Sequence, residues 1–262
     1  MKATMWKVLA LLCWAAMLFP LLTPSAEAVE ATIEMMPKKI EIGSFYHGTE
    51  LEFEGLVPSD CEVAIVLTGE TKEQTFNRKG RVGPLWMNVG SATFEGAPEV
   101  YCLLSSSGSL ECLALPEQLV ACRIGYDALK ESTRIKPENS DNDSTFAEFI
   151  KLKEDIGLYR ILCNSVTLKP SSDGMARFHA SLPIPPKMPP GDYEVSLFCF
   201  RDARKLSNQS FTLSVEKVGL PKKLSTLAYD HPAAYGILAI VAAMAAGIVM
   251  GVLFGSKGKG GH

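Results

Sequence analysis

The feature that most constrains this chain lies near its end, where the twenty residues from Tyr235 to Phe254 contain no charged side chain. As a helix they would span about 30 Å, the thickness of a bilayer's hydrocarbon core. A buried helix of a soluble protein is the alternative, but such helices seldom lack polar residues for so long. The composition therefore predicts a transmembrane helix over 235–254. Inside it Ala239, Ala243, Gly247, Gly251 and Gly255 recur at every fourth position. Glycine costs about 1 kcal/mol relative to alanine in a soluble helix. In lipid, by contrast, small residues four apart let two helix backbones approach and pack by dispersion. Glycine is frequent in membrane helices generally, so chance spacing is the plain alternative. The sharper expectation is a packing face for a membrane-protein partner or for a second copy of the chain.

The opposite end carries a second targeting signal. Lys2 and Lys7 precede the apolar run from Val8 to Phe19, and Ala26 and Ala28 supply small residues for cleavage. That layout predicts a signal peptide over 1–28. An uncleaved anchor is the rival reading, disfavoured by the short run that stops at Pro20. Cys13 is not expected to be lipidated, because Leu12 stands where a small residue would be needed. An exporting N-terminus and one span predict a single-pass protein of the bacterial inner membrane, with its body in the periplasm and the tail 255–262 in the cytoplasm. Lys257 and Lys259 agree with that orientation, whereas Lys222 and Lys223 on the other side pull against it.

Roughly 205 residues remain between the two segments, enough for one large or two small domains. The full chain has a net charge of −3, and removing the basic N-terminus leaves the body slightly more acidic. That argues against nucleic acid as a partner. Six cysteines remain after cleavage: Cys61, Cys102, Cys112, Cys122, Cys163 and Cys199. They could form up to three disulfides in an oxidising compartment, with fifteen pairings open, or stay as buried thiols.

Along the body, residues 29–115 alternate apolar and polar positions, as at Leu51 and Phe53 and again at Val63, Ile65 and Leu67, with Gly and Pro at the breaks. This period of two predicts an N-terminal β-sandwich region. Residues 116–160 read differently. Pro116 suits a first helical turn, Leu119, Val120 and Ile124 share a face, and Thr145 with Glu148 forms a capping box for a helix stopped by Gly157. A helical insert is expected there. Residues 161–218 return to strands, with Tyr193, Val195, Leu197 and Cys199 alternating after a Pro-Pro-Gly turn, a pattern similar to the closing hairpin of immunoglobulin-like or fibronectin-like sandwiches. Residues 219–234 are expected to form a juxtamembrane linker. The fold class expected is mainly β: immunoglobulin-like sandwich, helical insert and one C-terminal transmembrane helix.

Catalytic and metal signatures are absent from the sequence. His47, His179, His231 and His262 are scattered, and no Cys-x-x-Cys, Gly-x-Ser-x-Gly or phosphate-loop pattern occurs. No cofactor, no metal and no enzymatic activity are expected. The stretch "NRKGRVGPLWMNV" is more informative. Arg78, Lys79 and Arg81 cluster with Trp86 and Asn88, a combination suited to an anion, a lipid headgroup or a protein surface. The plain alternative is a solvated hairpin tip with Trp86 filling the core.

The segments "RKGRVGPLWMNV", "FEGAPEVYCLLSS", "FIKLKEDIGLY", "PPGDYEVSLFCFRD" and "VEKVGLPKKLSTLAYDHPAAYGILA", in this order before one span, resemble a family of bacterial single-pass transmembrane proteins of alphaproteobacterial type. The chain departs from that family's pattern in its many cysteines. The resemblance implies this architecture. Through family genes lying beside those of sulfite-exporter-type permeases, it also implies an accessory subunit. Function is therefore expected to be that of a membrane-anchored periplasmic accessory or interaction subunit, possible partners including such a permease. The alternatives are a periplasmic binding module for a small anion or sulfur compound, and a thiol-active or metal-dependent enzyme.

Overall fold

A computed structural model of the chain describes residues 31–136, 142–171 and 174–255. The expected signal peptide and the tail beyond Gly255 lie outside these residues. The chain runs through β1 (Thr32–Met36), β2 (Lys39–Ile42), β3 (Thr49–Pro58), β4 (Glu62–Thr68), β5 (Gln74–Val82), β6 (Leu85–Glu95) and β7 (Tyr101–Ser105). Short helices α1 (Leu110–Leu113), α2 (Pro116–Ala121) and α3 (Tyr126–Ser132) follow, then β8 (Arg134–Lys136) and α4 (Asn142–Asp155). The last part holds β9 (Tyr159–Leu162), β10 (Val166–Pro170), β11 (Met175–Ile184), β12 (Gly191–Arg201), β13 (Arg204–Lys217), α5 (Gly219–Asp230) and α6 (Pro232–Gly255).

The strands form one sandwich from both halves of the sequence. One sheet has the order β1-β3-β11-β10 and the other β2-β13-β12-β4-β7-β9, so each draws strands from before and after the helical segment. Residues 29–115 and 161–218 are thus not separate modules. The period of two read from the sequence supplies the facing layers. Leu51 and Phe53 stand opposite Leu182 and Ala180 in the first sheet. In the second, Val63, Ile65 and Leu67 stand opposite Cys199, Leu197 and Val195. All are buried in one continuous core.

The central pair β4 and β7 is buried on its other side as well: Ala64, Val66, Tyr101 and Leu103 are covered. Helices provide that cover, which is why "VAIVL" and "YCLL" read as near-continuous apolar runs. Tyr101 joins the two layers. Its hydroxyl donates to Arg123 O at 3.0 Å and accepts from Gly125 N at 2.8 Å, pinning the turn between α2 and α3 to the sheet. Its ring meets those of Tyr126 and Tyr159, with centroids 6.2 and 5.9 Å away. Pro116 occupies the first helical turn of α2, as its fixed φ favours. The capping box placed at Thr145 is corrected, however. Helix α4 begins at Asn142, leaving Thr145 inside the helix and buried. Gly157, at φ 80°, lies just past its end, where a left-handed residue ends a helix. Residues 219–230, expected as linker, form helix α5 instead.

Tyr101→Phe would leave the Gly125 N–H buried without an acceptor, at a cost of about 1–3 kcal/mol. Urea denaturation of the full chain in detergent should show a lower midpoint with an unchanged slope. An unchanged midpoint would mean that the helical layer does not depend on this clamp.

Candidate functional site

The antiparallel ladder of β4 and β7 does not end at Thr68 and Tyr101. Gly69 N donates to Val100 O, Glu99 N donates to Glu70 O, and Thr71 bridges to Pro98. The ladder resumes with Gln74 opposite Phe94 and runs to Val82 opposite Leu85. Strands β5 and β6 therefore continue the ribbon beyond the sandwich. They close at Gly83-Pro84, where Gly83 adopts φ 63°. A third strand, β8, supports only the base, pairing at Thr93, Phe94 and Glu95. Among the described residues the hairpin is two-stranded from Arg78 and Gly90 outward, a length of about 17 Å.

The two faces of the hairpin differ. On one, Phe76 and Phe94 pack on Phe149 of α4, with centroids 5.6 and 4.2 Å away. Arg78 also lies on this face, 3.9 Å from Glu148. Further out come Gly80, Val82, Leu85 and Met87. Val89 joins them at a bulge, and a Cβ on Gly80 would meet it at 2.8 Å, so glycine permits this close approach. The other face carries Lys79 opposite Asn88 and Arg81 opposite Trp86. Four of the five residues singled out from sequence are thus brought together, and Arg78 is turned away. Trp86 does not fill the core; it is 74 % exposed. Leu85, Met87, Val89 and Val82 are each at least half exposed, a feature missed in sequence because their alternation matched that of buried strands. No acidic residue occurs from Gln74 to Phe94.

Lys153 of α4 anchors the hairpin's base, and nothing in the sequence pattern marked it. It is only 3 % exposed. Its Nζ donates to Glu99 O at 3.0 Å and lies 5.5, 5.7 and 6.0 Å from the ring centroids of Tyr159, Phe149 and Phe76. Burial pulls its pKa down to about 8, opposed by the nearby Glu99 carboxylate. The cation–π contacts and the carbonyl bond partly replace the water it has lost.

A groove of about 840 Å³, lined by polar and apolar side chains alike, lies between the helical layer and the outer face of the second sheet. Arg123 and Leu129 line one side, and Glu194, Phe198 and Lys205 the other. The six cysteines are free thiols: Cys61, Cys102 and Cys199 are buried, Cys122 is half-buried, and Cys112 and Cys163 are exposed. Burial pushes Cys102 up to about 12 and raises Cys61, Cys122 and Cys199 as well, which lowers their thiolate fraction at neutral pH. Among the described residues no three of His, Cys, Asp or Glu gather as a metal site.

The C-terminal helix is long and apolar enough to cross a membrane over Pro232–Phe254. Gly247 and Gly251 face open space on it, and Ala239, Ala243 and Gly255 belong to the same helix.

Above about pH 8 a lysine whose pKa has fallen to that value on folding becomes neutral in the folded protein while still protonated in the unfolded chain, so stability rises as pH climbs from about 8 toward the unfolded value. Urea midpoints of the full chain should therefore rise between about pH 8 and pH 9.5 relative to those of Lys153→Met. Parallel pH profiles for the two proteins would contradict this.

The family model described as "Putative transmembrane protein (Alph_Pro_TM)" matches residues 30–256. No curated protein matches the chain. With nearly its whole length covered, the chain belongs to that transmembrane protein family.

Proposed function

We propose that this member of a transmembrane protein family is a membrane-anchored interaction subunit, docking through α6 on a polytopic membrane protein or on a second copy of itself. The carrying observation is the small-residue stripe, Ala239, Ala243, Gly247, Gly251 and Gly255 at every fourth position, on a helix long enough to span the bilayer. In lipid such a stripe gains packing only when another helix covers it. The sequence signal at 1–28 supports a periplasmic body and a cytoplasmic tail. The resemblance noted in the sequence implies an accessory role, with a sulfite-exporter-type permease as the partner to test first.

An immunoglobulin-like reading of the sandwich supports a binding role, since such modules usually bind or space. Two features favour it. The strand order β1-β3-β11-β10, facing β13-β12-β4 within the six-stranded sheet β2-β13-β12-β4-β7-β9, supports that reading by its likeness to the two-sheet arrangement of such domains, with β1 and β2 divided between sheets at Pro37. Tyr193, early in β12, donates its hydroxyl to Pro189 O at 2.5 Å, in the manner of a tyrosine corner. A second reading, capture of a small anion, draws on the shared face of Lys79, Arg81, Trp86 and Asn88. That face lies on an exposed hairpin, with Trp86 74 % exposed, whereas small-ligand sites bury most of the ligand, so docking is the better-supported reading.

Resonance energy transfer between labelled copies in bilayers, and co-purification with a defined permease partner, should both fall at least several-fold in the double variant Gly247→Leu and Gly251→Leu. Unchanged self-association together with unchanged partner recovery would overturn helix docking.

A further inference from the structure

The hairpin tip presents apolar side chains and cations where the fold has no use for either. Val82, Leu85, Trp86, Met87 and Val89 contact no core, and an exposed two-stranded ribbon of this kind is an aggregation liability unless something covers it. What covers it is indicated by charge and by place.

Arg78, Lys79 and Arg81 stand within a segment that lacks any acid, so the ribbon complements an anionic surface. Tryptophan beside aliphatic residues and basic side chains is the composition that partitions into the headgroup layer of a bilayer, the ring at the boundary and the cations at the phosphates.

Place is fixed by strand pairing. Gly191 at the start of β12 pairs with Val215 near the end of β13, and Glu194 pairs with Thr68 at the end of β4, itself opposite Tyr101. The end of the sandwich that launches the hairpin is therefore the end from which β13 hands the chain to α5 and α6. Helix α5 is about 18 Å long, close to the hairpin's free length of about 17 Å. It carries Leu220, Leu224 and Leu227 along one stripe, with Lys222 and Lys223 beside it, which suits a helix lying at the interface.

We propose that the β5–β6 hairpin is a membrane-contact finger for the bilayer that α6 crosses. Val82, Leu85 and Trp86 enter its interfacial layer, and Lys79 and Arg81 pair with the phosphates of anionic lipids. The finger sets the tilt and height of the sandwich above the bilayer, which the anchoring helix alone leaves free. This goes beyond helix docking and does not depend on it.

The test uses the full chain with Trp6→Phe and Trp14→Phe, which leaves Trp86 as the sole tryptophan. It is placed in nanodiscs of phosphatidylcholine, with or without phosphatidylglycerol. In the anionic discs Trp86 emission should shift to the blue, be quenched by lipids brominated near the headgroup, and resist aqueous iodide. Lys79→Gln with Arg81→Gln should lose most of that quenching, whereas Gly247→Leu should leave it intact. Three results would overturn the proposal. The first is equal iodide quenching in both disc types with none from brominated lipid. The second is an emission shift produced by free phosphate or sulfite without anionic lipid. The third is shielding of Trp86 from both quenchers only when a second protein co-purifies.

Discussion

The β4–β7 pair is the element on which the rest of the structure depends. Ile65, Leu67, Cys102 and Leu104 face the other sheet, while Ala64, Val66, Tyr101 and Leu103 lie under the helical layer. Because both faces are buried, the pair must be paired and covered everywhere, and its only way outward is along its own direction. The chain takes that way. The ladder passes through Thr71 and Pro98 and emerges as the β5–β6 hairpin. The two-sided core and the exposed finger are thus consequences of one ribbon, buried at one end and free at the other.

That continuity explains what was legible in the sequence. The apolar helix over 235–254 needed only length and the absence of charge. Alternation at Leu51, Phe53, Val63 and Ile65 named one face of each strand correctly, because a period of two is a local property. It could not show that Ala64 and Val66 were buried too, since helical cover comes from residues about 60 positions later. Nor could it show that strands before and after the helical segment share each sheet. Trp86 exposes the same limit in reverse. An alternating strand of Leu, Met and Val looks identical whether it packs on a core or projects into solvent. Lys153 left no trace at all, because a lysine is read as surface until three aromatic rings and the Glu99 carbonyl are brought around it.

The base of the finger is where the structure spends its more costly interactions. A lysine is buried there, held by Tyr159, Phe149 and Phe76, and the same Phe76 and Phe149 pack beneath the hairpin. Such a base stiffens the lever without fixing its tip. At the opposite end of the sandwich the turns are polar, with Arg201 and Asp60 paired at 2.7 Å. The exposed Val82, Leu85 and Trp86 thus stand at the end that leads to α6, and the Arg201–Asp60 pair stands at the other.

Amide hydrogen exchange of the full chain in anionic nanodiscs, compared with detergent micelles, tests this polarity most directly. The account predicts added protection over residues 80–89 and 219–230, with the turn at 201–204 unchanged. Protection confined to the 201–204 end, or an identical pattern in both media, would contradict it.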